Sequence, residues 1–153
     1  METNDPEAAA EIMAVIEAET RAFWEKDFDG VAAAWVQEDW TRRSGWWARG
    51  GITWRRGWDE IGGRMRRMID ESPDPSDVAQ AVRREDVFVR VVGDMAWVTF
   101  SQVAPEGDDP DMDMPGVSHE TRILERRDGN WRIAYHNYLL AEGPAPVAPR
   151  GET

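Results

Sequence analysis

Between Val87 and Val103 the chain spells two apolar segments, VFVRVV and MAWVTFSQV, joined by Gly93-Asp94. Runs of β-branched and aromatic residues on either side of a tight Gly-Asp turn specify a β-hairpin. What constrains the fold is that neither face of this hairpin is polar. Val89, Val91, Trp97 and Thr99 are assigned to one face, and Phe88, Val92, Val98 and Phe100 to the other. A sheet apolar on both sides must be covered on both sides. Helices of the same chain can cover one. A second copy of the chain is the simplest cover for the other, which predicts a homodimer through the open sheet face.

The helices lie upstream. Asp5-Pro6-Glu7 has a capping acid, a proline at the first helical position and an acid for the dipole. Ile12, Ile16 and Phe23 follow on one face, flanked by Val15 and Ala22. Glu19, Thr20 and Asp27 fall on or beside that face. An acid there either lines a wet cavity or, for Asp27, ends the helix and, for Glu19, sits at a rim. Asp29-Gly30 opens a second short helix through about Val36, with Trp35 inward. Residues 39–56 read as an irregular hairpin turning at Gly45 and Gly50-Gly51. Asp59 is placed to cap a third helix, with Ile61, Met65, Met68 and Ile69 as its apolar stripe. The order of helix, helix, short hairpin, helix and four long antiparallel strands predicts one α+β domain over residues 5–141, with flexible tails at 1–4 and 142–153.

The second long hairpin runs from Ser118 to Leu140 around Asp128-Gly129, and its register decides which side chains meet. A two-residue turn sets Arg122 opposite Tyr135 and Glu120 opposite Asn137. A three-residue loop, Arg127-Asp128-Gly129, sets Arg122 opposite Ala134, Glu120 opposite His136 and Ser118 opposite Tyr138. A slip of one residue exchanges the faces. The three-residue version separates apolar Ile123, Trp131 and Ile133 from the polar set and is preferred. Glu120, Arg122, His136 and Tyr138 then form one polar patch, joined by Gln102 from the neighbouring strand. His136 beside Glu120 has the makings of a general base, and Arg122 of an anion clamp. The competing interpretation makes Glu120–Arg122 a structural ion pair and puts His136 in the dimer interface.

Composition removes several functions. The net charge of −12 over 153 residues repels phosphate backbones and anionic lipid heads, so neither nucleic acid nor membrane is an expected partner. The absence of cysteine excludes disulfides, zinc–thiolate sites and cysteine nucleophiles. No cofactor or metal is expected; the acidic loop 105–116 lacks the spacing and closing glutamate of a calcium site. A cytoplasmic location is expected from the lack of a leader or apolar span. Nine tryptophans supply enough rigid apolar area for a core and a cavity wall.

The helix ending in Ala22-Phe23-Trp24 with Asp27 and Gly30 after it, then Trp35, Gly57-Trp58-Asp59-Glu60-Ile61 and Trp131-Arg132-Ile133, resembles the nuclear transport factor 2-like superfamily in its SnoaL-like branch. That resemblance implies a cystatin-like cone, a curved antiparallel sheet packed on three N-terminal helices around a pocket. The candidate ligand-binding residues are Arg122, Tyr138, Gln102, Trp24 and Glu19, and the catalytic candidates, from the hairpin register and the first helix's face, are His136, Glu120 and Asp27. A local block resembles the association domain of calcium/calmodulin-dependent protein kinase II: Gly93-Asp94, Ala96, Glu120-Thr121-Arg122, Arg126-Arg127-Asp128-Gly129, Trp131 and Ile133. There, arginines in the pocket bind small carboxylates; the matching positions here are Gln102, Arg122 and Tyr138. Two functions are therefore expected in competition. One is a small-molecule pocket, acting on an apolar or carboxylate ligand as an isomerase, cyclase, dehydratase or hydrolase. The other is a non-catalytic association module.

Overall fold

The computed structural model describes residues 1–104 and 116–142. The acidic loop and the segment after 142 lie outside the described residues. Helix α1 spans Pro6–Trp24, capped by Asp5, whose carboxylate accepts from the Ala8 amide at 3.1 Å. Its stripe of Ala8, Ala9, Ile12 and Ile16 is buried. Helix α2 is Phe28–Ala33, shorter than expected and capped by Asp27 rather than opened by Asp29. It stops at Ala33 because the next residues join the sheet: Ile133 donates to the Ala34 carbonyl and Val36 to the Ile133 carbonyl, both at 2.8 Å. Strands β2 (Arg42–Trp47) and β3 (Gly51–Arg56) form the short hairpin. Helix α3, Gly57–Glu71, buries Ile61, Met65 and Ile69. It starts two residues before Asp59, which sits in the first turn and caps nothing; Glu60 instead accepts from the Arg56 amide.

Four long strands follow: β4 (Arg83–Val92), β5 (Met95–Ala104), β6 (Gly116–Arg127) and β7 (Asn130–Glu142). They pair antiparallel in sequence, as expected. The whole sheet, however, is mixed. β1 (Glu2–Thr3) joins the outer edge of β4 in parallel, and β2 joins the free edge of β7 in parallel, giving the order β1-β4-β5-β6-β7-β2-β3. Residues 2–4 are thus tied to the sheet rather than loose: Asn4 donates to the Val91 carbonyl at 2.9 Å and accepts from its amide at 2.8 Å.

Two registers differ from expectation. In β4–β5, Gly93-Asp94 is a two-residue turn that pairs Val92 with Met95 and so Val89 with Val98. Val89, Val91, Ala96, Val98 and Phe100 therefore share the inner face, and Phe88, Val92, Met95, Trp97 and Thr99 the outer; grouping Val89 with Trp97 was off by one. In β6–β7, Asp128-Gly129 is also a two-residue turn, both residues at positive φ, so the three-residue loop is wrong. The parity is recovered further along for the polar set but not for the apolar one: Trp131 and Ile133 share the inner face with Arg122, and Ile123 lies on the other, so the expected separation does not hold. A bulge at Ala134 sets Ile123 opposite Tyr135 although Leu124 still faces Ile133, and Arg122 then faces His136 and Glu120 faces Tyr138.

The core lies between the helices and the concave sheet face, built on Ile12, Ile16, Trp35, Val98, Phe100 and Ile133. The convex face carries apolar side chains in the open: Val92, Met95, Trp97 and Leu139 are 43–57% exposed.

Candidate functional site

Where the helices cross the wide end of the sheet they leave a cavity of about 160 Å³. An engineered cavity of about 150 Å³ takes up benzene, so this one has room for a single ring. Its apolar wall is Phe23 and Trp24 from α1, Ile61, Met65 and Met68 from α3, and Leu140 from β7. Its floor is polar. Alternation along β6 sends Ser118, Glu120 and Arg122 inward, and β7 and β2 add His136, Tyr138 and Arg43.

Glu120 is the hub of the floor. One carboxylate oxygen accepts from Arg122 Nη1 at 2.6 Å and contacts His136 Nε2 at 2.7 Å; the other accepts from Ser118 Oγ at 2.7 Å. Both members of the ion pair are buried, Glu120 4% and Arg122 3% exposed. Burial would raise the Glu120 carboxyl, but the charge of Arg122, with His136 and Ser118, overturns this and holds it well below the usual carboxylate range. On the far side of the imidazole, Arg43 Nε donates to His136 Nδ1 at 3.3 Å. Arg43 has no acceptor of its own, so Nδ1 carries the lone pair and Nε2 the proton it gives Glu120. Burial, helped by Arg122, pushes His136 down to about 3, so the ring is neutral near pH 7. Both ring nitrogens are occupied, and His136 acts here as a strut between Arg43 and Glu120. Gly45 lets the Tyr138 ring lie against β2, where its hydroxyl meets Thr53 Oγ1 at 2.6 Å and Arg43 stacks 5.0 Å from its centre.

Of the residues singled out in the sequence, Glu19, Trp24, Gln102, Glu120, Arg122, His136 and Tyr138 line this one cavity. Asp27 does not. It is exposed and spends its carboxylate on the Gly30 amide at 3.0 Å as the α2 cap. Arg43, Arg55 and Arg64 were missed. The signal for Arg43 was the alternation Arg43-Gly45-Trp47, which a reading of residues 39–56 as irregular passes over. Burial lowers the Arg43 guanidinium from its ordinary value, yet it forms no ion pair with a described carboxylate. Arg122 Nε and Gln102 Oε1 are buried without partners. Among the described residues no cluster of three or more acidic or histidine side chains is set to hold a metal ion, and no helix is long and apolar enough to cross a membrane.

The SnoaL-like domain family matches the chain over residues 12–138. No curated protein matches it. Solved structures share the architecture at low identity. A nuclear transport factor 2-like protein of unknown function from Pseudomonas putida KT2440 is 17% identical, with 97% of this chain and 94% of that one covered at a TM-score of 0.65. A cystatin-like fold protein from Nostoc punctiforme PCC 73102 is 15% identical, with 96% and 100% covered at 0.66. Another, from Burkholderia xenovorans LB400, is 18% identical, with 92% and 97% covered at 0.64. At such identities the likeness establishes the cystatin-like α+β fold and no activity.

Proposed function

We propose that this chain, which belongs to the SnoaL-like domain family, uses its cavity to bind a small organic anion with an apolar body of about one ring. The observation that carries this is Arg43: a half-buried cation on the cavity floor, desolvated enough for its guanidinium to be lowered, that forms no ion pair with any described carboxylate. A partly desolvated charge without an ion-pair partner is favoured by a counter-ion brought into the site. Glu120 does not serve: it makes no ion pair with Arg43, and both its oxygens are already engaged by Arg122, Ser118 and His136. The lining is cationic as a whole, four arginines against two glutamates, inside a chain of net charge −12. Such a local reversal of sign draws anions inward. Of the three positions given weight by the likeness to the kinase association domain, only Arg122 is a cation, so support for the anion comes chiefly from Arg43.

Any isomerase, cyclase, dehydratase or hydrolase chemistry needs a group free to move a proton, and neither His136 nor Glu120 has an open atom in this arrangement. Binding is therefore the reading favoured over catalysis at those residues. A second property has its own support: the exposed Val92, Met95, Trp97 and Leu139 suit a homodimer through the convex sheet face.

Thermal shift and calorimetry with benzoate, cyclohexanecarboxylate and methyl benzoate test the anion. At a hundred times Kd a bound acid stabilises by about 2.7 kcal/mol. The acids are expected to bind and the ester not, and Arg43→Met is expected to abolish the difference. Equal binding of acid and ester would refute the proposal.

A further inference from the structure

The cavity has one more charged group, and its geometry is different from that of Glu120. Glu19 hangs from α1, on the helical side, facing the floor from which Arg43 rises. Its Oε1 accepts from the indole Nε1 of Trp35 at 3.3 Å, and Trp35 is fully buried, so the carboxylate has a fixed anchor. No other hydrogen bond or ion pair engages Glu19 among the described residues. A carboxylate offers about four lone-pair directions and donates nothing when ionised. Glu19 therefore presents unused acceptor capacity to the cavity.

The neighbouring polar groups are taken or closed. Thr20 accepts from Arg84 and donates to the Ile16 carbonyl. The Tyr138 hydroxyl is paired with Thr53. Gln102 Oε1 is sealed from solvent. Glu19 and Arg43 line the same space and the charge of Glu19 reaches the guanidinium, yet they form no ion pair. An acceptor on one wall and a cation on the other, held apart, describe a ligand with a donor at one end and an anionic group at the other.

We infer that Glu19 is a specificity residue that accepts a hydrogen bond from a hydroxyl of the ligand, so that the cavity selects single-ring hydroxy acids over the corresponding plain acids. This rests on the organic-anion reading of the same cavity. The size of the cavity sets the single ring, Arg43 sets the acid, and Glu19 sets the hydroxyl. A hydrogen bond to an ionised acceptor in such a site is worth about tenfold or more in affinity.

Calorimetry on the full chain at neutral pH tests it, with benzoate against 3- and 4-hydroxybenzoate, and toluene against 4-methylphenol as a neutral pair. One hydroxybenzoate isomer is expected to bind at least about tenfold tighter than benzoate. In Glu19→Gln the amide oxygen keeps the Trp35 bond and its NH2 replaces the open acceptor, so the preference should fall to within about twofold. Glu19→Asp, which withdraws the carboxylate by one carbon, is a second variant should the amide fold poorly, and is expected to lose most of the preference. If wild type binds all three acids equally, Glu19 has no such role while the anion reading stands. If no acid binds but 4-methylphenol still exceeds toluene and loses that margin in Glu19→Gln, the anion reading fails and the Glu19 assignment stands. No preference in either pair overturns the assignment.

Discussion

Replacing Glu120 by glutamine changes one atom and keeps the shape of the floor, yet it should be among the most damaging substitutions in the protein. Arg122 is 3% exposed, and its Nη1 has only Glu120 as partner, while Nε has none. With the charge of Glu120 removed, the guanidinium remains buried beside a neutral amide that cannot offset its desolvation. The same amide must also choose between accepting from Ser118, Arg122 and His136, which a carboxylate serves together. Breaking a buried pair from one side costs about 3–5 kcal/mol. Against a typical domain stability of about 5–15 kcal/mol this is a large share. Urea unfolding followed by circular dichroism should show the midpoint falling with little change in slope. Adding Arg122→Met to Glu120→Gln should return most of the loss, because the double variant no longer buries a lone cation. A loss below about 1 kcal/mol for Glu120→Gln would refute the claim that the pair is desolvated.

Other outcomes follow from the same geometry. His136 titrates at about 3 when folded against an ordinary 6.5, so the unfolded chain binds more protons between those values. Stability should therefore fall as pH drops from about 6.5 toward 3, and the depressed Glu120 adds the same sign below its ordinary value; His136→Gln should flatten the upper part of that slope in urea melts. Gly45→Ala puts a methyl group into the Tyr138 ring and should destabilise the protein by about 1–3 kcal/mol, with the change visible in near-ultraviolet circular dichroism. Trp97→Glu on the convex face should yield a monomer in sedimentation with the fold intact; a wild type that is already monomeric would dispose of the proposed dimer.

The two long hairpins were legible because their signals are local: Gly93-Asp94 and Asp128-Gly129 stand between period-2 apolar runs. The grouping of the polar floor was legible in parity but not in mechanism. Nothing in the residues around Ala134 announces a bulge, and the same inward set can arise from a three-residue loop or from a two-residue turn plus a bulge. The parallel seam between β2 and β7 was illegible because it joins segments about 93 residues apart with no turn between them. That seam is what delivers Arg43 to His136, so the cation that matters most to the proposed ligand was invisible with it. Asp27 failed as a site residue for a plain reason. A carboxylate three residues before an open amide is captured as a cap wherever a helix begins nearby.

The late closure of the seam also bears on how the protein is made. β2 leaves the ribosome early, and its parallel partner β7 is among the last strands to emerge. Until then α1 lacks its contact with β7, and Trp35 lacks its bridge to Ile133. Pairing of such distant segments is slow, and the waiting chain shows apolar surface meanwhile. Nascent chains stalled before Ile133 should thus be the species that chaperones hold and proteases cut.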